Sequence, residues 1–594
     1  MTKILESLNE KQKEAAFFIN NSSLILAGAG SGKTRVLVAK VIYLIKEKKI
    51  NPSSIVMITF TNKAASEMKE RIKKELGNND NLGYIGTFHS FSALILRRFW
   101  QEAAVDKNFL IYDEDEQIKL IKNILKKEKI EKKSPDYFLY YISCAKNLLV
   151  LPENFLDNFS FYQASLVADV YFQYQKELEK NKALDFDDLL LRAVFLLKKE
   201  KKILAYYLNK YYYFLVDEFQ DTNFIQYKLI KILGNKKNKV TVVGDFSQSI
   251  YSWRGAEIEN LNRFQKDFSP VSVFYLEKNY RSTQKILDFA YKIISQNSTH
   301  PVLKIYTEKN GGEEIVFYEA ENEEEEAVFL AEEIIKLSKN LHILNKNIAV
   351  LYRTNAQSRV IEEAFLHYGI PYILIGGIRF YSRKEIKDIL AFLRLLINPI
   401  DELALSRVKD LGKKRFLRFK KLYEELKDQL FSYSTNDLID KIFAATDYLS
   451  LYQKDNEEDL SRLENIRELK SVAMNFPNLV DFLHQVALVE SEYFEKEKKG
   501  DASQKVRLMT LHQAKGLEFD YVFIVGVEEG ILPHSRSLDD VFSLEEERRL
   551  FYVGITRAKE KLYITYTKKR FIFGKQNYSL KSRFLYEENC INNY

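Results

Sequence analysis

An α/β protein with parallel sheets, interrupted twice by long helical stretches, is the fold this sequence predicts. Three observations carry the prediction. Short apolar runs of strand type recur along the 594 residues, and each is followed by a turn or a helical pattern. One of them opens straight into a glycine-rich loop and a helix. Two blocks, 92–183 and 382–503, lack that rhythm and read as helical.

The strand candidates fall into two groups. "SLILAG" (23–28), "SIVMITF" (54–60), "YYFLVDEF" (212–219), "VTVVGD" (240–245) and "SVFYLE" (272–277) form the first. "NIAVLYR" (347–353), "VRLMTL" (506–511), "YVFIVG" (521–526) and "KLYITY" (561–566) form the second. The block 92–183 is rich in Tyr, Phe and Lys. The block 382–503 begins "SRKEIKDILAFLRLLINP", where Pro399 ends the helical pattern. The acidic run "ENEEEEAV" (321–328) reads as the solvated start of a helix, where carboxylates suit the dipole.

Composition bounds the class. Apolar residues make up 46% and charged residues 29%, as in a globular protein with a true core. Length alone suggests about four domains. The net charge of +7 admits a nucleic-acid partner without requiring one. The two cysteines, Cys144 and Cys590, form no CxxC pair, which argues against a disulfide framework or zinc cluster and for a reducing compartment. No signal-peptide h-region and no apolar run of about 18 residues is found, so no membrane partner and a cytoplasmic location are expected.

"AGAGSGKT" (27–34) lies between a strand and a helix, the context a phosphate-binding loop needs. Along Ala27, Gly28, Ala29, Gly30, Ser31 and Gly32, backbone N–H groups can turn toward phosphate oxygens. The helix N-terminus adds positive potential. Lys33 would reach the β- and γ-phosphates, and Thr34 would ligate Mg²⁺. Ala27 stands where the strict pattern has glycine. "FLVDEFQDT" (214–222) supplies the acidic strand end such a loop requires: Asp217 for Mg²⁺, and Glu218 as the base that orients attacking water. The wide gap between residues 33 and 217 makes 92–183 an inserted domain.

Further motifs follow in order: "LNEKQKEA" (8–15), "ITFTNKAA" (58–65), "GTFHSF" (86–91), "VVGDFSQSIYSWRGA", "LEKNYRST" (276–283), "VRLMTLHQAKGLEFD" (506–520) and "EEERRLFYVGITRAKEKLYI" (545–564). With the two above, the set resembles the UvrD/Rep/PcrA group of superfamily 1 DNA helicases over nearly the whole chain. The resemblance implies two RecA-like P-loop motor domains, each interrupted by a mainly helical insert. The first motor would comprise 1–91 and 184–275, with the insert 92–183. The second would comprise 276–381 and 504–594, with a shortened insert 382–503. It implies ATP with Mg²⁺ between the motors. Gln12 would read the adenine edge, Tyr280 would stack on the ring, and Glu518, with Gly516 in the same motif, would bind the ribose. Arg35 would assist these contacts. Gln248 would sense the γ-phosphate, and Arg281 and Arg557 would reach it from the second motor as arginine fingers do.

The resemblance also implies a track for single-stranded DNA, held by base stacking and backbone contacts. Phe60, Asn62, Thr87, His89, Tyr251, Trp253 and Arg254 would line it in the first motor, and Asn355, Thr510 and His512 in the second. Tyr251 and Trp253 sit in the polar stretch "GDFSQSIYSWRGA" (244–256), which would couple the nucleotide to the DNA. The basic stretch "VKDLGKKRFLRFKK" (408–421) reads equally as a phosphate contact or a solvated helix face. In "LDFDDLL" (184–190), Asp185, Asp187 and Asp188 read as helix caps and structural hydrogen bonds.

The expected activity is ATP-driven 3′ to 5′ movement on single-stranded DNA with unwinding of duplex, in repair or replication. Single-strand/duplex junctions and unidentified repair or replication proteins are the expected partners. The alternative within the family is a translocase that removes bound proteins and unwinds poorly without a partner. A helicase subunit of a recombination nuclease and a P-loop kinase are the competitors from other classes. The paired arginines and the aromatic loop argue against the kinase.

Overall fold

The computed structural model describes residues 3–586 apart from 78–82, 131–132, 235–236, 310, 341–342, 453–456, 498–503 and 573–574. The chain divides into two compact units. The first comprises Met1–Arg281 and His300–Glu308, and the second Ser282–Thr299 and Lys309–Tyr594. The chain thus passes between them after Arg281, Thr299 and Glu308.

The first unit is built on a six-stranded parallel sheet. Its strands are β1 (Ser22–Ala27), β2 (Ile55–Thr59), β3 (Tyr84–Thr87), β4 (Tyr213–Val216), β5 (Lys239–Gly244) and β6 (Val271–Leu276), in the spatial order β3-β2-β4-β5-β1-β6. β1 and β2 are buried along their whole length, as strands covered on both faces must be, and both read as unbroken apolar runs. Registers such as Leu24 opposite Val242 and Met57 opposite Leu215 align the carboxyl ends of the strands. One face carries a core that includes Leu24, Val56, Phe91, Phe214 and Tyr227, and the other a core that includes Ile25, Val38, Ile42, Met57 and Leu215.

This order decides where motifs meet. The phosphate loop follows β1, the residues 217–218 follow β4, and Asp245 follows β5. These three strands are adjacent, so the three motifs converge at one end of the sheet. Phe60 follows β2 and His89 follows β3, which places them at the other side of the same edge. Such an edge, at the carboxyl ends of parallel strands, is where α/β folds bind ligands.

The insert in this unit contains the helices Glu114–Lys127, Pro135–Asn147 and Ala164–Lys180. It packs around Ile121, Phe138, Tyr171 and Tyr174 and is closed by a parallel pair of short strands, Leu110–Tyr112 and Ala183–Asp185.

The second unit repeats the plan. Its six-stranded parallel sheet contains β7 (Val316–Ala320), β8 (Ile348–Tyr352), β9 (Tyr372–Leu374), β10 (Val506–Thr510), β11 (Phe519–Ile524) and β12 (Ala558–Thr567), in the order β7-β12-β11-β8-β10-β9. A helical block from Lys384 to Glu497 interrupts it and packs around Phe392, Leu393, Leu438, Tyr448 and Leu469. The predicted α/β class with parallel sheets is therefore the observed one. Among the described residues, no helix is long and apolar enough to cross a membrane.

Candidate functional site

The phosphate loop is shaped by backbone that side chains would obstruct. Gly30 has φ +65°, and a Cβ there would lie 2.5 Å from Asn279 Nδ2. Gly32, at φ +87°, turns the chain into the helix Lys33–Lys46. Ser31 closes the loop by donating its hydroxyl to Gly28 O at 2.8 Å.

Lys33 is the central finding. Its Nζ is buried and has no hydrogen-bond partner. It stands 3.9 Å from Glu218 Oε2 and 3.9 Å from Asp245 Oδ2, too far to donate to either. A desolvated ammonium without an acceptor is costly. A phosphate oxygen would satisfy it. Beside it, Thr34 Oγ1 donates to Asp217 Oδ2 at 3.1 Å. Burial and the neighbouring Glu218 push the Asp217 carboxyl up to about 7, with Lys33 and the Thr34 hydroxyl pulling the other way. Burial also raises Asp245. Extra positive charge here would be favourable, and a hydroxyl with a carboxylate is the oxygen set that suits Mg²⁺. No cluster of three or more His, Cys, Asp or Glu able to hold a metal occurs among the described residues, so phosphate oxygens and water would have to complete such a shell.

Glu218 adopts a left-handed backbone, φ 50° and ψ 44°, unusual for glutamate and typical of strain held at functional positions. Its N–H donates to Asp217 Oδ1 at 3.0 Å. Its carboxylate accepts from Gln220 Nε2 at 2.6 Å, and Gln220 Oε1 accepts from Asp245 N at 3.0 Å. Gln248 Nε2 donates to Asp245 Oδ2. A chain of hydrogen bonds thus runs from the Glu218 carboxylate through Gln220 to the Asp245 backbone, and from the Asp245 carboxylate to Gln248.

On the other side of the loop, Gln12 is buried and donates to Ser31 O at 2.9 Å. Its Oε1 accepts from Asn9 N, completing the cap of the helix Glu10–Phe17. One amide hydrogen and one lone pair stay available to a ligand. Tyr280 is 41% exposed, and its hydroxyl accepts from Asn9 Nδ2 at 2.7 Å, so its ring borders the same surface as Gln12. The turn carrying it is stapled to the phosphate loop. Asn279 Nδ2 donates to Ala29 O at 2.6 Å, and Tyr280 N to Gly30 O at 3.0 Å. Tyr280 and Arg281 therefore belong to the first unit. Arg35 donates to Ser7 O at 3.0 Å.

The aromatic residues assemble away from the phosphate loop. Phe60 and Tyr251 stack at 5.8 Å with planes 7° apart. Trp253, 44% exposed, meets Tyr251 at 6.4 Å, and the Arg254 guanidinium lies over Trp253 at 4.5 Å. His89 meets Phe186 edge-on at 5.8 Å, and burial lowers the His89 pKa. Thr87 has a structural duty: its hydroxyl accepts from Ser90 N and caps the helix Phe88–Arg98. Asn62 is exposed at the start of the helix Asn62–Leu76.

In the second unit the expected residues divide between opposite edges of the sheet. Asn355 and His512 follow the adjacent strands β8 and β10, and Thr510 ends β10. Thr510 Oγ1 accepts from Gln513 N at 3.3 Å. Glu518 and Arg557 precede the adjacent strands β11 and β12. Glu518 pairs with Lys559 at 3.0 Å, and Gly516 nearby has φ +82°. Arg557 is buried; its guanidinium donates to Val553 O, Leu517 O and Thr556 Oγ1. Those bonds fix the direction of the side chain.

Gln220, Asn279 and Phe186 were not expected at the site. Gln220 and Asn279 lie inside recognised motifs, yet only the folded chain shows what they join. Phe186 lies in a stretch conspicuous for its acids, and those acids are used structurally. Asp185 caps the helix Phe186–Lys199 in a capping box with Asp188, and both pair with the fully buried Lys146, at 2.6 and 2.9 Å.

Comparison with known proteins gives matches along nearly the whole chain. Residues 8–269 match the family model for the UvrD/REP helicase N-terminal domain. Residues 274–442 and 409–569 match that for the UvrD-like helicase C-terminal domain. A protein named ATP-dependent DNA helicase PcrA from Bacillus subtilis (strain 168) is 42% identical, covering 98% of this chain and 86% of the relative. A protein of the same name from Staphylococcus aureus (strain Mu50) is 39% identical, over 99% of this chain and 87% of the relative.

Proposed function

This chain belongs to the UvrD/REP helicase family, and on that premise we propose that it is an ATP-driven motor moving 3′ to 5′ on single-stranded DNA and unwinding duplex ahead of it, in DNA repair or replication. It is an ATP-dependent DNA helicase by membership. The direction, the pathway, the cytoplasmic location, the junction substrates and the role of each residue are proposed. So is the assignment of the two units to two motors, each with its helical insert.

The observation that carries the reading is the Lys33 ammonium, buried without a hydrogen-bond acceptor beside Asp217, Glu218 and Asp245, on the sheet edge that also presents the aromatic residues. In the proposed cycle Lys33 takes the β- and γ-phosphate oxygens, and the N–H groups of the phosphate loop share their charge. Mg²⁺, held by Thr34 and Asp217, would neutralise charge on the β- and γ-phosphates. Glu218 orients and deprotonates the attacking water, with Gln220 holding its carboxylate in place. Gln248 reports the γ-phosphate to the loop bearing Tyr251 and Trp253, which stack on bases. Arg281 and Arg557 supply positive charge to the transferring phosphoryl group.

The test measures ATP hydrolysis with and without single-stranded DNA, and strand separation on 3′- and 5′-tailed duplexes. Turnover stimulated by DNA and separation of the 3′-tailed duplex are expected, with Glu218→Gln binding ATP but neither hydrolysing nor unwinding. Retained turnover in that variant overturns the base assignment. Hydrolysis indifferent to DNA overturns the motor reading. Removal of a bound protein without separation of a bare duplex would favour the translocase.

A further inference from the structure

The segments carrying the His89–Phe186 pair and the Tyr251–Trp253 loop are linked through a hydrogen bond outside the motifs above. Asn147 is the last residue of the insert helix Pro135–Asn147. Its Nδ2 donates to Asp187 Oδ1 at 3.0 Å and to Ser143 O at 2.9 Å. Asp187 also accepts from Ser143 Oγ at 2.6 Å. Asp187 follows Phe186, the residue whose ring meets His89. The Asn147 carboxamide is thereby oriented, nitrogen toward the carboxylate, and its oxygen faces away.

That oxygen accepts from Asn223 Nδ2 at 2.6 Å. Asn223 caps the helix Phe224–Leu233 through its own oxygen, which accepts from Gln226 N at 3.0 Å. Its backbone forms an antiparallel bridge with Ala256. Ala256 N donates in turn to Tyr251 O at 3.1 Å, closing the loop that bears Tyr251, Trp253 and Arg254. Glu257 N and Asn260 Nδ2 fasten the same segment to Thr222 O. The Asn147–Asn223 bond therefore lies between the His89–Phe186 pair and the Tyr251–Trp253 loop.

We infer that Asn147 and Asn223 are positioning residues for single-strand binding, whose mutual hydrogen bond holds the His89–Phe186 pair and the Tyr251–Trp253 loop in one register for a bound strand. Stacking on consecutive bases requires platforms at fixed separation, so a slip between them weakens binding without removing any aromatic ring. Through the last residue of the helix Pro135–Asn147, the first insert would then take part in gripping DNA. It rests on the proposed reading that these aromatics hold single-stranded DNA.

The experiment compares wild type, Asn147→Ala, Asn223→Ser and the double variant. The readout is the oligo(dT) concentration that half-saturates ATP hydrolysis, together with the KM for ATP without DNA and a thermal melt. Serine retains the helix cap at 223 but is too short to reach Asn147, so this variant keeps the test alive if Asn147→Ala fails to fold. Asn223→Ser is expected to raise the half-saturating concentration about fivefold, the effect of one hydrogen bond, and Asn147→Ala at least as much, since it also removes the bonds to Asp187 and Ser143. Because both variants remove the Asn147–Asn223 bond, the double variant should be no weaker than Asn147→Ala alone, with the KM for ATP within about twofold of wild type. A wild-type half-saturation in Asn223→Ser overturns the inference. So do effects that multiply in the double variant, which mark two independent structural losses. If wild-type hydrolysis is itself unaffected by oligo(dT), the motor reading falls and takes this inference with it.

Discussion

Gln220→Ala isolates the link between the base and the aromatic loop. Gln220 is fully buried. Its amide donates to Glu218 Oε2 at 2.6 Å and to Asp221 Oδ2 at 3.3 Å, and its oxygen accepts from Asp245 N at 3.0 Å. Alanine leaves the Asp245 N–H unpaired, which costs about 1–3 kcal/mol, and removes a hydrogen bond to a charged carboxylate, about 1.5–3 kcal/mol. A stability loss of about 3–5 kcal/mol is therefore expected in urea unfolding, close to what a marginally stable unit tolerates. The kinetic effect is separable. Glu218 keeps its left-handed backbone and its bond to Asp217, but the carboxylate loses the donor that aims it. A fall in kcat of about 10- to 100-fold, or about 1.4–2.7 kcal/mol of barrier, should follow. The KM for ATP should change little, since the side-chain hydrogen bonds of Gln220 run to Glu218, Asp221 and Asp245 and not to the phosphate loop. The assay is steady-state ATP hydrolysis at saturating single-stranded DNA, on protein shown to be folded by its melt. A folded variant with kcat within about threefold of wild type would refute the reasoning, because Glu218 would then need no partner to be placed.

Other expected outcomes test neighbouring parts. Trp253→Ala should raise the DNA concentration for half-maximal stimulation by about 10- to 100-fold, the worth of one stacked base, while DNA-free ATP binding changes little; equal losses in both would make Trp253 structural. Gly30→Ala must put a Cβ at φ +65° and 2.5 Å from Asn279 Nδ2. It should detach the Tyr280 turn and weaken nucleotide binding at least tenfold, about 1.4 kcal/mol, in a fluorescent-nucleotide titration. Lys40 is buried on the helix Lys33–Lys46 and donates to Ala15 O and Phe18 O at the end of the helix carrying Gln12. Burial pushes its pKa down from 10.5 to about 7, so between those values the unfolded chain binds more protons than the folded one. This lysine therefore makes stability rise with pH across that window and costs most below it. Lys40→Met should shrink the rise in Tm between about pH 7 and about pH 10. An unchanged slope in thermal melts would show that Lys40 stays charged throughout.

Local pattern and tertiary arrangement divide the legible from the illegible. The nine strands read from the sequence are all present, because each is mainly apolar and rich in β-branched and aromatic residues between turn or helix signals. β3, β7 and β9 went unread. β3 contains Gly86, β7 ends in an acidic residue and alanine, and β9 is three residues long, so none shows a periodic signal. The chemistry of the phosphate loop was legible for a related reason: glycine, lysine and threonine at fixed spacing after a strand act locally, through backbone conformation and a helix end. The acids of "LDFDDLL" were legible as caps and structural hydrogen bonds: Asp185 and Asp188 form the capping box, and Asp187 accepts from Ser143 and Asn147.

What contact between distant segments decides was not legible. The helix cap made by Thr87 depends on where β3 hands over to the helix Phe88–Arg98. Arg281 was expected on the second motor, but the bonds of Asn279 and Tyr280 to Ala29 and Gly30 draw it into the first unit. Gln220, Asn279 and the Asn147–Asn223 pair gain their roles only from neighbours that lie far away in the chain. The sequence by itself determined the fold class, the family and the atoms available for chemistry, since these depend on short-range spacing and on apolar periodicity. The tertiary structure alone decided which carboxylate faces Lys33, which glutamine aims Glu218 and which asparagines join the two aromatic groups. Those contacts depend on strand order and on which polar groups the packing of distant segments brings within hydrogen-bond reach.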